Sequence, residues 1–166
     1  MIRYALWFST VLLCLLVSIA AASPASTLLF RGANTSLGDR DKEAIAKQTG
    51  LTLSKDKTSF VDEVGHTLTV VVRELQLNAD KIPEVLVIIG GSTSMFGAAG
   101  SGVQLYVKDS KGRYVGNLGF PAADIKVLAT RTKGYRDLQI LGPGFDCPVW
   151  RWNGSTYTFS HTIKCA

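Results

Sequence analysis

The residues able to do chemistry are few. His66 and His161 are the sole imidazoles in the chain, and neither stands in an HExxH pair or at ligand spacing from a cysteine, so a zinc centre is not expected. A serine nucleophile needs an exposed elbow, and Ser101 fails the GxSxG pattern because Ala99 and Val103 take its glycine positions. The glycines between Gly90 and Gly102 lack the Gly-Lys-Ser/Thr of a P-loop. Their GxxGxG spacing, with a strand to follow, is not a dinucleotide fingerprint either. Two acids remain, Glu84 and Asp137, each opening an apolar run. If those runs paired as strands, the acids would face one another as a carboxylate couple; an acid at a strand entrance more commonly accepts turn N–H groups. The inventory therefore points to a chain that is not an enzyme, with no catalytic residue, no metal site and no cofactor.

What the sequence offers instead is surface. The stretch Gly90 to Gly102 joins two strands and carries Met95 and Phe96 near its middle. A long loop held on a rigid sheet is a partner-binding device, which makes Ser92, Thr93, Ser94, Met95, Phe96 and Ser101 the candidate contact residues. The competing reading is a connector whose Phe96 tucks into the core. A second candidate is the aromatic face of the last hairpin, where Trp150, Trp152 and Tyr157 could stack on sugar rings; against it, such a face usually belongs to the core.

Other features give an address. Arg3 precedes an apolar run from Ala5 to Ile19, and Ala20-Ala21-Ala22 supplies small residues for a peptidase. Residues 1–22 thus read as a secretory signal cut after Ala22, with an uncleaved anchor as the alternative. The expected location is periplasmic or secreted, with no stable membrane anchor after cleavage. Cleavage removes Arg3 from a chain of net charge +5 and Cys14 from its three cysteines. The remaining positive charge favours anionic partners only weakly, and without any block of like charges nucleic acid is not expected. Cys147 and Cys165 are left to form one disulfide in an oxidising compartment.

The elements that must position these residues are mainly β. Residues 23–166 form a single β-rich domain, an antiparallel sandwich or propeller-like sheet of roughly 8–9 short strands with one N-terminal surface helix. Asp39, Asp41 and Glu43, then Lys47 and Gly50, bracket a helix over Asp39 to Thr49, and a short strand at Leu28 to Arg31 precedes it. Leu68, Val70 and Val72 alternate before the phase moves to Leu75 and Leu77, which suggests a bulge near Arg73-Glu74. Glu84 to Ile89 is apolar after its first residue and should be a central strand covered on both faces. Val103 to Lys108, Arg113 to Leu118, Ile125 to Thr130 and Asp137 to Leu141 complete the set. Asn153-Gly154 predicts a two-residue turn that sets Trp152 opposite Ser155 and Cys147 opposite Ser160, with Trp150, Trp152, Tyr157 and Phe159 on one face.

One segment carries a resemblance. Gln76-Leu77-Asn78-Ala79-Asp80-Lys81-Ile82-Pro83-Glu84 resembles the DLNGDGxPE loop of exported VCBS/FG-GAP proteins, in which a calcium loop leads into a strand. Asn78, Asp80 and Glu84 match; Gln76, Ala79 and Lys81 replace an Asp and two glycines, so the turn is expected without the ion. With the segment Gly134-Tyr135-Arg136-Asp137-Leu138 and the hairpin Trp152 to Tyr157, the chain is similar to small exported bacterial β-proteins. Some of these inhibit peptidoglycan hydrolases or protect against toxins. Ser101-Gly102 with Tyr106 is similar to the SG-x-x-Y loop of some lysozyme inhibitors, one residue longer. The resemblance implies an inhibitor or immunity-type protein that acts on an envelope enzyme or toxin. Its expected partner is an envelope protein, with peptidoglycan or another glycan as the alternative.

Overall fold

A computed structural model describes residues 22–144 and 146–164. It is mainly antiparallel β, and of the two expected architectures it takes the sandwich-like one. Six strands run in sequence order in a curled sheet: β1 (Thr52–Leu53), β2 (Phe60–Val61), β3 (Thr67–Leu75), β4 (Glu84–Gly90), β5 (Ser101–Lys108) and β6 (Tyr114–Pro121). The second sheet holds β7 (Asp124–Thr132), β8 (Tyr135–Leu141), β9 (Pro148–Trp152) and β10 (Tyr157–Thr162), again in sequence order. β1 and β2 have two residues each, too short to leave an alternation in the sequence.

Helices α1 (Pro24–Leu29) and α2 (Asp39–Thr49) cover one face of the first sheet. The expected strand at Leu28 to Arg31 is absent. Ser23 caps α1 by accepting the Ser26 N–H, and Pro24 occupies its first turn; this start signal outweighs the β character of Leu28-Leu29-Phe30. α2 keeps its expected bounds, ended by Gly50 at φ 69°. It is not merely superficial, since Ile45 is fully buried in the core beneath it.

The first sheet therefore separates two cores. Val85, Val87 and Ile89 of β4 point toward the helices, while Leu86 points toward the second sheet with Val103, Leu105 and Val107 of β5. This two-sided burial is what the continuous apolar run of β4 predicts. It also corrects the bulge expected near Arg73-Glu74. β3 pairs with β4 without a break from Thr69↔Gly90 to Leu75↔Glu84. The phase changes because Val70 and Val72 face the helix-side core, whereas Leu75 and, beyond the strand, Leu77 pack in the other.

In the last hairpin, Tyr157 pairs with Trp152 and Phe159 with Trp150, two residues away from the expected register. Asn153 is the reason: its side-chain oxygen accepts the N–H groups of Ser155 and Thr156 at 2.9 and 3.0 Å, and its own N–H bonds Thr156 O at 2.9 Å. This side-chain bonding stabilises a longer turn than the two-residue type. A shift of two preserves the faces, so the four aromatics still share one side. A bulge between Phe159 and His161 then brings the Ile163 N–H to Cys147 O at 3.2 Å. Cys147 is buried; Cys165, the other half of the expected disulfide, and the signal segment before Ala22 lie outside the described residues.

Candidate functional site

The predicted loop leaves β4 through Gly91, whose φ of 94° favours glycine and where an added Cβ would stand a tight 3.2 Å from Thr67 O. It is locally structured. Ser92 caps a one-turn helix α3 (Thr93–Phe96), accepting the Met95 N–H at 3.2 Å, and a 3-10 turn Gly97–Ala99 follows. The Gly91 N–H returns to Gly100 O at 3.1 Å and closes the loop at its base.

The residue that organises this end of the sheet is Asp62, which the sequence reading missed. Its Oδ1 accepts the N–H groups of Val64 and His66 at 3.1 and 2.8 Å, closing the turn between β2 and β3. Its Oδ2 accepts the hydroxyls of Ser92 at 2.9 Å and Ser94 at 3.2 Å, and lies 3.3 Å from His66 Nδ1. One buried carboxylate thus ties two loops together. The available signal was Asp62-Glu63-Val64-Gly65-His66, an Asx turn closed by glycine.

Aspartate, histidine and serine meet here without the order of a catalytic triad. The serine hydroxyls spend their protons on Asp62, and the imidazole does not stand between them. Burial pushes the Asp62 carboxyl up, but the His66 N–H, the Ser92 hydroxyl, the Val64 N–H and the Ser94 hydroxyl outweigh it and hold it down at about 2. A base that weak does not activate an alcohol near neutral pH. The cluster shapes a surface. A depression of about 290 Å³ lies among Val64, His66, Gly91, Ser92, Thr93 and Ser94, and Val64 and Met95 stand exposed at this end.

The six predicted loop residues accordingly divide. Thr93, Ser94 and Met95 are exposed, whereas Ser92 is 3% exposed. Phe96 packs against the helix-side core over Gly102, where an added Cβ would stand 2.3 Å from its ring. Ser101 is turned away and donates to Ala122 O at 2.9 Å.

Of the hairpin aromatics, Trp152 and Tyr157 are buried and Trp150 is half-buried against Phe120. Trp152 stacks on Tyr135 at 4.1 Å, Tyr157 meets Trp152 edge-on at 5.3 Å, and Trp150 stacks on Phe120 at 5.2 Å. Trp152 and Tyr157 are core residues, and burial pushes the Tyr157 phenol well up while its hydroxyl donates to Arg136 O at 2.7 Å.

The acids at the strand entrances do not face one another across paired strands, because β4 and β8 belong to different sheets. Glu84 accepts the Leu77 N–H at 2.8 Å, and burial pushes its carboxyl up to about 7. Asp137 accepts the hydroxyls of Thr130 and Thr132, each at 2.7 Å. Within the 76–84 loop, Asp80 Oδ1 accepts the Ile82 N–H at 2.8 Å and Asn78 Oδ1 the Asp80 N–H at 3.0 Å. These oxygens close the turn themselves. Among the described residues no three His, Cys, Asp or Glu side chains gather as a metal site, and no helix is long and apolar enough to cross a membrane. Comparison of the chain with protein-family models, with curated proteins and with solved structures finds no match.

Proposed function

We propose that this chain is an exported, non-enzymatic binding domain that captures an envelope enzyme or toxin through the end of the sheet organised by Asp62. One observation carries the reading. Asp62 fixes both flanking loops with hydrogen bonds to its buried carboxylate, yet Val64 and Met95 remain 67% and 41% exposed on them. Rigid loops that display apolar side chains lose little entropy on binding and supply the desolvated contacts that dominate interface energies. Thr93 and Ser94, exposed beside them, offer hydroxyl oxygens at the rim.

The test is capture from envelope extract at moderate salt by the immobilised protein and by its V64S/M95S variant. A single stoichiometric protein retained by the native chain and released by the variant supports the reading. Equal retention by both removes this end of the sheet from consideration, and retention of glycan alone removes the protein-binding reading.

A further inference from the structure

A second surface lies near the opposite end of β5, roughly 23 Å away at 3.3 Å per residue. Here α2 and the turn between β5 and β6 form the walls of an open groove of about 580 Å³, with Arg40 and the Asp41 carboxylate on one side and Lys108, Lys111 and Arg113 on the other. The walls are fixed in position. Lys108 bridges to Asp41 at 2.9 Å, and Gln48 reaches from the helix to Tyr114 O at 2.8 Å while accepting the Gly116 N–H at 3.1 Å. The turn is equally constrained: Asp109 accepts the N–H groups of Lys111 and Arg113, each at 2.9 Å, and holds the Arg113 guanidinium at 2.7 Å. Arg40 and Lys111 are exposed, and the contacts that order this groove leave both their charged groups uncommitted.

Gln48 also lines a second, adjoining depression of about 470 Å³, bordered by Gln104, Tyr106, Gly116, Asn117 and Gly119. This half carries no charge. Its amides are fixed, Gln104 by donating to Thr49 O at 3.1 Å and accepting the Tyr106 hydroxyl at 2.7 Å, and Asn117 by accepting the Tyr157 N–H at 3.0 Å. Each primary amide has two N–H donors; one of Gln104 goes to Thr49 O and one of Asn117 to Ser155 O at 3.3 Å, which leaves one on each for a ligand. Glycines at Gly116 and Gly119 keep the floor low.

We infer that the composite groove binds an acidic oligosaccharide. Its carboxylate or phosphate sits among Arg40, Lys111 and Arg113, and its sugar hydroxyls lie along the amide-lined half. The cations supply an oxyanion site, and fixed amides over a glycine floor suit a ligand made of hydroxyls. A protein's acidic patch would leave the uncharged half unused.

The experiment titrates the full processed protein, observed by backbone amide NMR, with trigalacturonic acid, a sugar phosphate, inorganic phosphate and neutral maltotriose. The acidic sugars are expected to shift amides of 40–48, 104–106 and 111–119, to bind at least tenfold more tightly than either maltotriose or inorganic phosphate, and to weaken severalfold between low and physiological salt. R40A/K111A should lose about tenfold in affinity at unchanged melting temperature. Gly119 has open space around its Cβ position, so G119L should obstruct the uncharged half and weaken the acidic sugars while inorganic phosphate is unaffected. Equal affinity for inorganic phosphate and acidic sugar, or affinity that survives R40A/K111A, overturns the proposal. A carboxylate sugar that binds without the sugar phosphate, or the reverse, identifies the anion.

Discussion

Ser92 donates its hydroxyl to the Asp62 carboxylate at 2.9 Å while accepting the Met95 N–H at 3.2 Å. A single hydroxyl therefore joins the turn after β2 to the first turn of α3. Ser92→Ala removes the cap and one bond to the carboxylate together, and its cost should be about 1–2 kcal/mol. Melting experiments would read this as a drop of several degrees. If the loop frames the binding surface as proposed, capture of the partner should weaken with it; unchanged stability and capture would dismiss the staple.

The same carboxylate sets an acid limit. Its folded value of about 2 lies below its ordinary 3.8, so the unfolded chain binds the proton more readily. The stabilisation is complete above about pH 3.8 and fades as the pH falls toward 2. Asp62→Asn should be less stable than the native chain at neutral pH, and the gap between the two melting curves should narrow below pH 4. A gap that stays constant down to pH 2 would contradict the assignment.

Glu84 behaves in the opposite sense. Its carboxyl is raised by burial from 4.5 to about 7, so the folded chain holds a proton that the unfolded chain has released. Its contribution is greatest below about pH 4.5 and declines as the pH rises toward 7, by at most about 3 kcal/mol. Glu84→Gln keeps an acceptor for the Leu77 N–H without a charge to bury. It should flatten the pH dependence and raise the melting temperature at pH 8; a variant whose melting temperature falls between pH 5 and pH 8 as far as the native chain's would sink the argument.

Phe96 and Gly102 provide a steric test. With the ring 2.3 Å from the position of an added Cβ, Gly102→Ala must displace Phe96 from its partly buried seat, at a cost of about 1–3 kcal/mol. Phe96→Leu in the same chain should recover part of that loss. Additive destabilisation of the two substitutions would show that they do not share this contact.

How much of this was readable beforehand depended on whether the determining interactions were local. α2 was legible from its acidic first turn and its terminal Gly50, and β4 from its unbroken apolar run, because those signals reside within the element. The hairpin faces survived a wrong register because the error was an even number of residues. Asp62 escaped notice because its importance arises from Ser92 and Ser94, thirty and thirty-two positions away. The groove was hidden for the same reason: Arg40 and Lys111 become neighbours of one cavity only when α2 lies across β6. Trp150, Trp152 and Tyr157 were rightly grouped, but their type alone does not distinguish a ligand platform from a core, which depends on Tyr135 and Phe120 covering them.

The amino-terminal end of the domain gives a test of the processing site. The Ser23 N–H donates to Glu43 Oε2 at 3.1 Å, and the Ser23 hydroxyl and N–H, outweighing a small opposing effect of burial, hold the Glu43 carboxyl below its ordinary value. Cleavage after Ala22 would turn that amide into an ammonium group at the same place, adding an ion pair worth about 0.5–1 kcal/mol at such a partly exposed position. The paired ammonium would have a raised pKa, so its contribution is full below about pH 7.7 and disappears as the pH rises through the folded value. If the chain is exported and cut as proposed, amino-terminal sequencing of the mature protein should begin at Ser23. Glu43→Gln should then cost the processed protein more at pH 6 than at pH 10, and the difference should vanish in a chain extended by a residue before Ser23. A mature terminus elsewhere, or equal costs in both chains, would exclude the pairing.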